Sequence, residues 1–166
     1  MSIKDRQDSK SWKQIFIIIG VVIISTSLIW LPFWLRLPIW GIDVGEKGLG
    51  TIIANYDGPY YIAIAKTLYT PEQLRNFEFN LPIEYYPAHF PLYPLLIKFL
   101  SIVVGYPYSS ILIPVVATVG AAIIFYKLTS YLKLPNPQFL TVVFLFLPAR
   151  FLIARSVPTP EPMFIL

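Results

Sequence analysis

The sequence predicts an all-α integral membrane protein, and three observations support this fold class. Of the 166 residues, 56% are hydrophobic and only 13% are charged, whereas a soluble domain has roughly 25% charged residues. The mean hydropathy is +0.64. The apolar residues form runs comparable with the roughly 20 residues that cross a bilayer as one helix. We therefore expect a multi-pass helical chain with about three transmembrane helices.

The first predicted transmembrane helix covers residues 14–36. It is uncharged over residues 14–35, and the tryptophans at its end, Trp30, Trp34 and Trp40, match the aromatic belt of a membrane interface. A signal peptide has an apolar core of only roughly 7 to 15 residues. This longer run, which ends in Trp and Pro, favours an uncleaved signal anchor.

The topology follows from the positive charges, because Lys and Arg in short loops prefer the cytoplasmic side. The basic segment 1–13 is therefore placed in the cytoplasm, and the long loop 37–107 lies on the outer or lumenal side. We then predict a second transmembrane helix at residues 108–128, a cytoplasmic loop at 129–137 and a third transmembrane helix at 138–155. Residues 156–166 form a second outer loop and the start of a further span.

Two interfacial helices are predicted in the outer loop, at about residues 57–69 and 90–104. The first begins at residues 57–59, where an Asp in the N-cap position is followed by Gly and Pro, and Pro suits the first helical turn. The second is apolar but too short to cross a bilayer. If it did cross, Lys127 would fall on the outer side, against the charge rule.

The composition excludes several kinds of site. The chain has no Cys and a single His, which excludes thiolate and His-rich metal sites, and it has no paired Asp-x-Asp motif. We predict no metal and no cofactor, although oxygen ligands such as Asp57 and Glu161 suit a divalent ion chemically. The net charge of +4 comes mainly from scattered basic residues, so nucleic acid is not an expected partner.

Three stretches resemble motifs of a known enzyme family. Residues 56–65 are similar to a Trp-Asp-Gly motif followed by an aromatic residue and Ile-Ala, with Tyr56 in place of the usual Trp. Residues 89–96 resemble a Phe-Phe-Pro-Leu-Tyr-Pro-Leu-Leu block. Residues 148–149 and 159–164 resemble a Pro-Ala pair followed by Ser/Thr-Glu-x-x-Phe, with one additional Pro before the Glu.

Through these motifs the chain resembles polytopic glycosyltransferases of the GT-C class, and within them the GPI mannosyltransferase II (PIG-V-like) proteins. The resemblance implies a GT-C-type N-terminal region, a fragment that is inactive on its own. It implies transfer of a hexose, mannose above all, from a polyprenyl-phosphate sugar donor to a hydroxyl of a glycan or lipid acceptor, in a single inverting displacement. The implied location is among the lipids of the plasma membrane in a prokaryote, or of the endoplasmic reticulum membrane in a eukaryote.

Asp57 is the expected catalytic base for such a transfer. The reaction needs a carboxylate near the membrane surface to take the proton of the acceptor hydroxyl as the sugar carbon is attacked. The simpler role of Asp57 is a helix N-cap, which contributes about 1 kcal/mol of stability. The flanking motifs favour the catalytic role, and the two roles are compatible.

Five further residues are candidates for substrate binding. Glu161 is expected to orient the acceptor or to assist the base, and Arg150 and Arg155 to hold the donor phosphate. His89 and Tyr93 are candidates for contact with the sugar or the lipid head group. Four of the five also have a simpler role: a solvated acid for Glu161, snorkelling for the two arginines, and a surface position for His89.

Two other classes of protein stay open on the sequence. A non-enzymatic membrane subunit or lipid-binding scaffold would have the same helices and would use Asp57 only as a cap. A transporter would place ionisable groups within the spans, near the middle of the membrane. The centres of the predicted spans are uncharged, which argues against a transporter.

Overall fold

The structure, a computed structural model, describes residues 3–38, 41, 47–77, 79, 82–147 and 149–166, with only the backbone for residues 3–11. Trp40 and Pro148 lie outside these residues. The described part of the chain contains helices and no strand, which confirms the predicted all-α class. In chain order the helices are α1 Ile3–Trp34, α2 Leu49–Ile53, α3 Gly58–Thr67, α4 Pro71–Leu74, a 3₁₀ helix Ile83–Ala88, α5 Leu92–Val104, α6 Tyr106–Tyr131, α7 Pro137–Phe146, α8 Ala149–Ala154 and α9 Glu161–Ile165.

Two of these helices are long and apolar enough to cross a membrane by length and composition. They are the part of α1 from Trp12 to Trp34, with 23 residues, and the whole of α6, with 26 residues. A signal sequence and the core helix of a soluble protein meet the same test. Both helices also carry large apolar side chains that nothing in the described chain covers, among them Phe16, Ile24, Val116 and Ile124.

The core lies where α1, α6, α7 and α8 pack together. Its buried members are Ile18, Val22, Ala122, Leu145 and Phe151. The small side chain of Ala122 allows close approach of the helix backbones. A second cluster lies at the end where α1 finishes and α6 begins, and it joins Ile52, Ile111 and Val157.

The third predicted transmembrane helix, residues 138–155, forms as two shorter helices, α7 and α8. The sequence has a Pro at position 148, and a proline has no N–H for the carbonyl four residues earlier. The segment still runs along α1 in the same direction. Gln14 and Gln138 line one cavity near the start of both, and at the other end Nε1 of Trp30 donates to the carbonyl of Ser156 at 2.7 Å.

The other predicted helices form close to their expected limits. Helix α3 begins at Gly58, with proline in its first turn, and it ends where Leu68 adopts a left-handed backbone with φ of 48°. Helices α5 and α6 are separated by Gly105 alone, at φ of 79°, a conformation that favours glycine. This single residue redirects the chain so that α5 packs on α3 and α6.

Candidate functional site

A close approach between two segments brings the start of α3 against the stretch that precedes α9. Gly58 faces the carbonyl oxygen of Ile53 and the ring of Pro158. A Cβ at position 58 would lie 3.0 Å from Cγ of Pro158 and would clash with the Ile53 oxygen. Only glycine permits this contact, which holds the segments carrying Asp57 and Glu161 together.

Asp57 occupies the N-cap position of α3, but its side chain makes no capping hydrogen bond. Its Oδ2 atom lies instead 3.5 Å from Nε2 of His89, and 45% of the side chain is exposed. This distance exceeds the 2.7–3.2 Å range of a normal N–H···O bond, so the two side chains are close without being hydrogen-bonded. The carboxylate is therefore held, with one side open, at the surface of an aromatic cluster. The cluster consists of Tyr60, Tyr61, Tyr85, His89 and Tyr93.

His89 lies beneath Asp57, with only 5% of its surface exposed. The ring centres of Tyr61 and Tyr85 are 4.8 and 5.1 Å from the imidazole, both in edge-to-face geometry. The backbone of His89 is fixed as well. The hydroxyl of Tyr69 donates to its carbonyl at 2.6 Å, and its N–H donates to the carbonyl of Tyr86 at 3.0 Å. His89 is thus a buried residue, not the surface residue of the simpler interpretation.

Tyr93 lies deeper in the same cluster, 1% exposed. Its ring packs edge-to-face on Tyr61, with centres 4.7 Å apart. Its hydroxyl donates to the carbonyl of Ser110 at 2.5 Å. That carbonyl lacks a helical partner because the residue four positions later is Pro114, which has no N–H. The structure therefore places the Tyr93 hydroxyl in an internal hydrogen bond rather than toward a sugar.

Glu161, the first residue of α9, is partly buried, and its Oε2 atom has no hydrogen-bond partner among the described residues. Met163 of α9 packs against the buried cluster that contains Tyr61 and Tyr93. Burial raises the pKa of Tyr61, and the carboxylates of Asp57 and Glu161 add to that rise. Both carboxylates are thus within electrostatic reach of one tyrosine.

The two candidate arginines lie in different surroundings. Arg150 is exposed and lines a small cavity of about 250 Å³ together with Glu161. Arg155 is fully buried and donates to the carbonyl of Leu145 at 3.3 Å and to Oγ of Ser25 at 2.8 Å. Arg150 and Glu161 are brought together as a candidate pair, whereas the guanidinium of Arg155 is engaged inside the protein.

The partners of Arg155 explain its position. Helix α7 ends at Phe146, so the carbonyl of Leu145 in its last turn needs a donor from outside the helix. Arg155 supplies that donor, and its guanidinium carbon lies 5.0 Å from the centre of the Phe146 ring. The side chain therefore joins the end of α7 to α1 through Ser25.

Two apolar cavities adjoin this region. One of about 280 Å³ lies between the start of α5 and α9 and is lined by Phe90, Tyr93 and Phe164, among others. The other, of about 480 Å³, lies between α5, α6 and α9 and is lined almost entirely by apolar side chains, including Leu96 and Val116. An apolar chain in the smaller cavity would contact Tyr93.

Sequence reasoning missed the residues that surround the candidate base: Tyr61 and Tyr85, which pack on His89, and Gly58 and Pro158, which form the close contact. The one available signal was the Gly directly after Asp57. No group of three or more His, Asp or Glu side chains suited to a metal occurs in the described part of the chain.

Comparison with protein-family models, with curated proteins and with solved structures finds no match to this chain.

Proposed function

We propose that this chain belongs to a membrane hexosyltransferase of the GT-C type and that Asp57 is its catalytic base. One observation carries the proposal: Asp57 stands at a helix N-cap position yet leaves the cap unused. Its carboxylate is half open beside a buried His89. Because capping would stabilise the helix by about 1 kcal/mol, the position of this carboxylate calls for another role. The resemblance of residues 56–65 and 89–96 to GT-C motifs supports a catalytic one.

The proposed reaction is a single displacement that uses Asp57 as the base. The acceptor hydroxyl attacks the anomeric carbon of the sugar while the bond from that carbon to the lipid phosphate breaks. The hydroxyl proton passes to the Asp57 carboxylate, and the polyprenyl phosphate leaves with the bonding electrons. A single displacement inverts the anomeric centre. Mannose is the hexose that we propose.

Arg150 and Glu161 are proposed as substrate-binding residues. They line one small cavity, and the buried Oε2 of Glu161 has no partner among the described residues, so a sugar hydroxyl would satisfy it. Among the described residues no acidic side chain lies within 4 Å of the guanidinium of Arg150, so it could pair with a phosphate. A charge-assisted pair of this kind would hold the donor while Asp57 acts on the acceptor.

The membrane supplies the setting for the proposal. Exposed apolar side chains on both long helices, such as Ile24 and Val116, would be costly in water and are stable against lipid. We propose a multi-pass integral membrane protein, in the plasma membrane of a prokaryote or the endoplasmic reticulum membrane of a eukaryote, with Asp57 at the outer or lumenal face.

The test is sugar transfer by the full-length protein in membranes from a panel of polyprenyl-phosphate hexoses. Asp57→Asn is compared with wild type at matched expression, and Glu72→Gln is the control, since Glu72 is an exposed acid in α4 of the same loop. We expect transfer to fall by roughly 10²-fold or more in Asp57→Asn and to stay unchanged in the control. Undiminished transfer by Asp57→Asn would remove Asp57 from the mechanism.

A lipid-binding scaffold without enzymatic activity is the second candidate. The apolar cavity of about 480 Å³ between α5, α6 and α9 favours it, because a cavity of this character suits a lipid chain. Transfer from none of the donors, combined with binding of a polyprenyl phosphate to the purified protein, would support the scaffold over the enzyme.

A further inference from the structure

The contact between His89 and Asp57 is the one pairing of an acid with a basic side chain within 4 Å in the described part of the chain. The two residues lie in different segments, before α3 and before α5, and each segment is fixed separately. Asp57 precedes Gly58, which is wedged against Pro158. His89 is tied by its backbone to Tyr69 and Tyr86. The backbone on each side of the contact is thus held in place by the fold.

The two ring nitrogens of His89 have different surroundings. Nε2 faces Oδ2 of Asp57, whereas Nδ1 is buried without a hydrogen-bond partner among the described residues. A hydrogen on Nδ1 would be a buried donor left unpaired, which costs about 1–3 kcal/mol. With the hydrogen on Nε2, Nδ1 is left as an unpaired acceptor instead, but the N–H is directed toward the carboxylate, whereas a bare Nε2 would place its lone pair against a carboxylate oxygen.

Among the residues that the structure describes, Asp57 is the one acidic side chain within 4 Å of the imidazole. Tyr60 and Tyr61 face it from α3, and Tyr85 faces it from the 3₁₀ helix. Glu161 is the other acid that, with Asp57, contributes to raising the pKa of Tyr61. Aromatic edges on several sides fix the plane of the ring, so the direction of its Nε2–H is fixed with it.

From these observations we propose that His89 is a positioning residue for Asp57: its Nε2–H orients the carboxylate so that the free oxygen faces the acceptor hydroxyl. The proposal rests on the function proposed for Asp57. The contact of 3.5 Å shortens to a hydrogen bond when substrate is bound, as catalytic contacts commonly do. The base is then held in one orientation without a capping bond to α3.

Two substitutions separate positioning from packing. His89→Gln keeps an N–H near the position of Nε2 but loses the ring, whereas His89→Phe keeps a ring among the tyrosines but loses the N–H. We expect kcat to fall by roughly 10- to 100-fold in His89→Phe, with the KM for the donor little changed, and we expect His89→Gln to retain most of the activity. The opposite order would mean that His89 acts only by packing, and would overturn the proposal.

The combination with Asp57→Asn distinguishes failure of this proposal from failure of the proposed function. If transfer is lost in Asp57→Asn but undiminished in His89→Phe, Asp57 is the base and the positioning role is wrong. If Asp57→Asn transfers sugar normally, the base itself is wrong. If both roles are correct, adding His89→Phe to Asp57→Asn causes little further loss.

A measurement without catalysis tests the same contact. His89 is the single histidine of these 166 residues, so ¹⁵N-histidine labelling with a His89→Gln spectrum for subtraction reports on this imidazole. We expect the hydrogen on Nε2 and a shift of that signal in Asp57→Asn. A hydrogen on Nδ1, or a signal that Asp57→Asn leaves unmoved, would overturn the proposal even if no donor supports transfer.

Discussion

The hydroxyl of Tyr93 donates to the carbonyl of Ser110 at 2.5 Å and so replaces the backbone N–H that is missing at Pro114. Tyr93 belongs to α5 and Ser110 to α6. A proline inside α6 is therefore compensated by a side chain from the neighbouring helix, and the same bond fixes the packing of the two helices beneath His89.

The first prediction concerns this compensation. Tyr93→Phe removes the hydroxyl and leaves the Ser110 carbonyl without its donor, so we expect the free energy of unfolding to fall by about 1 kcal/mol. In a Pro114→Ala background the helix supplies its own N–H, and the same substitution should then cost less. Denaturant unfolding of the purified protein in detergent measures both costs. Equal costs in the two backgrounds would show that the hydroxyl does not substitute for the missing N–H.

The second prediction concerns the contact at Gly58. Gly58→Ala adds a Cβ that meets the backbone oxygen of Ile53 and the ring of Pro158, and neither group can move freely. We expect a loss of about 1–3 kcal/mol in the free energy of unfolding and a lower transfer rate, because Asp57 is displaced. Thermal unfolding and the transfer assay are the measurements.

Gly50→Ala is the matched control for Gly58→Ala. Its nearest contact would be Cβ of Lys47 at 3.9 Å, which is ordinary van der Waals contact. Gly50 lies within α2, where alanine is favoured over glycine by about 0.5–1 kcal/mol. A similar loss of stability in both variants would argue against a special contact at Gly58.

The third prediction concerns the buried Arg155. Arg155→Lys keeps the positive charge but cannot donate to both the Leu145 carbonyl and Ser25, since one ammonium replaces the planar fork of the guanidinium. We expect the free energy of unfolding to fall by about 1–3 kcal/mol. Arg150→Lys makes the same chemical change at an exposed position, where a change within about 0.5 kcal/mol is expected. Equal effects at the two positions would contradict the joining role of Arg155.

The break between α7 and α8 shows where sequence reasoning reached its limit for the fold. Hydropathy over residues 138–155 indicated one continuous helix, because an average over many residues is insensitive to a single one. A proline acts on one hydrogen bond, and that local effect decides whether a helix continues. The segment nevertheless runs along α1 in the same direction.

The sequence by itself determined the helical class and the two long apolar helices, α1 and α6. It also indicated the start of α3, through Asp57 and the Gly and Pro that follow. These features depend on composition, on the length of apolar runs and on the backbone preferences of single residues. Such properties act over a few neighbouring positions and are therefore legible in the chain.

Only the tertiary structure decided what the candidate residues contact. It placed His89 beneath Asp57, turned the Tyr93 hydroxyl inward to Ser110, and separated Arg155 from Arg150 and Glu161. Each of these contacts joins residues from different helices or loops. The physical reason is that their distances follow from how the helices pack against one another, and packing depends on side-chain shape across the whole chain rather than on local pattern.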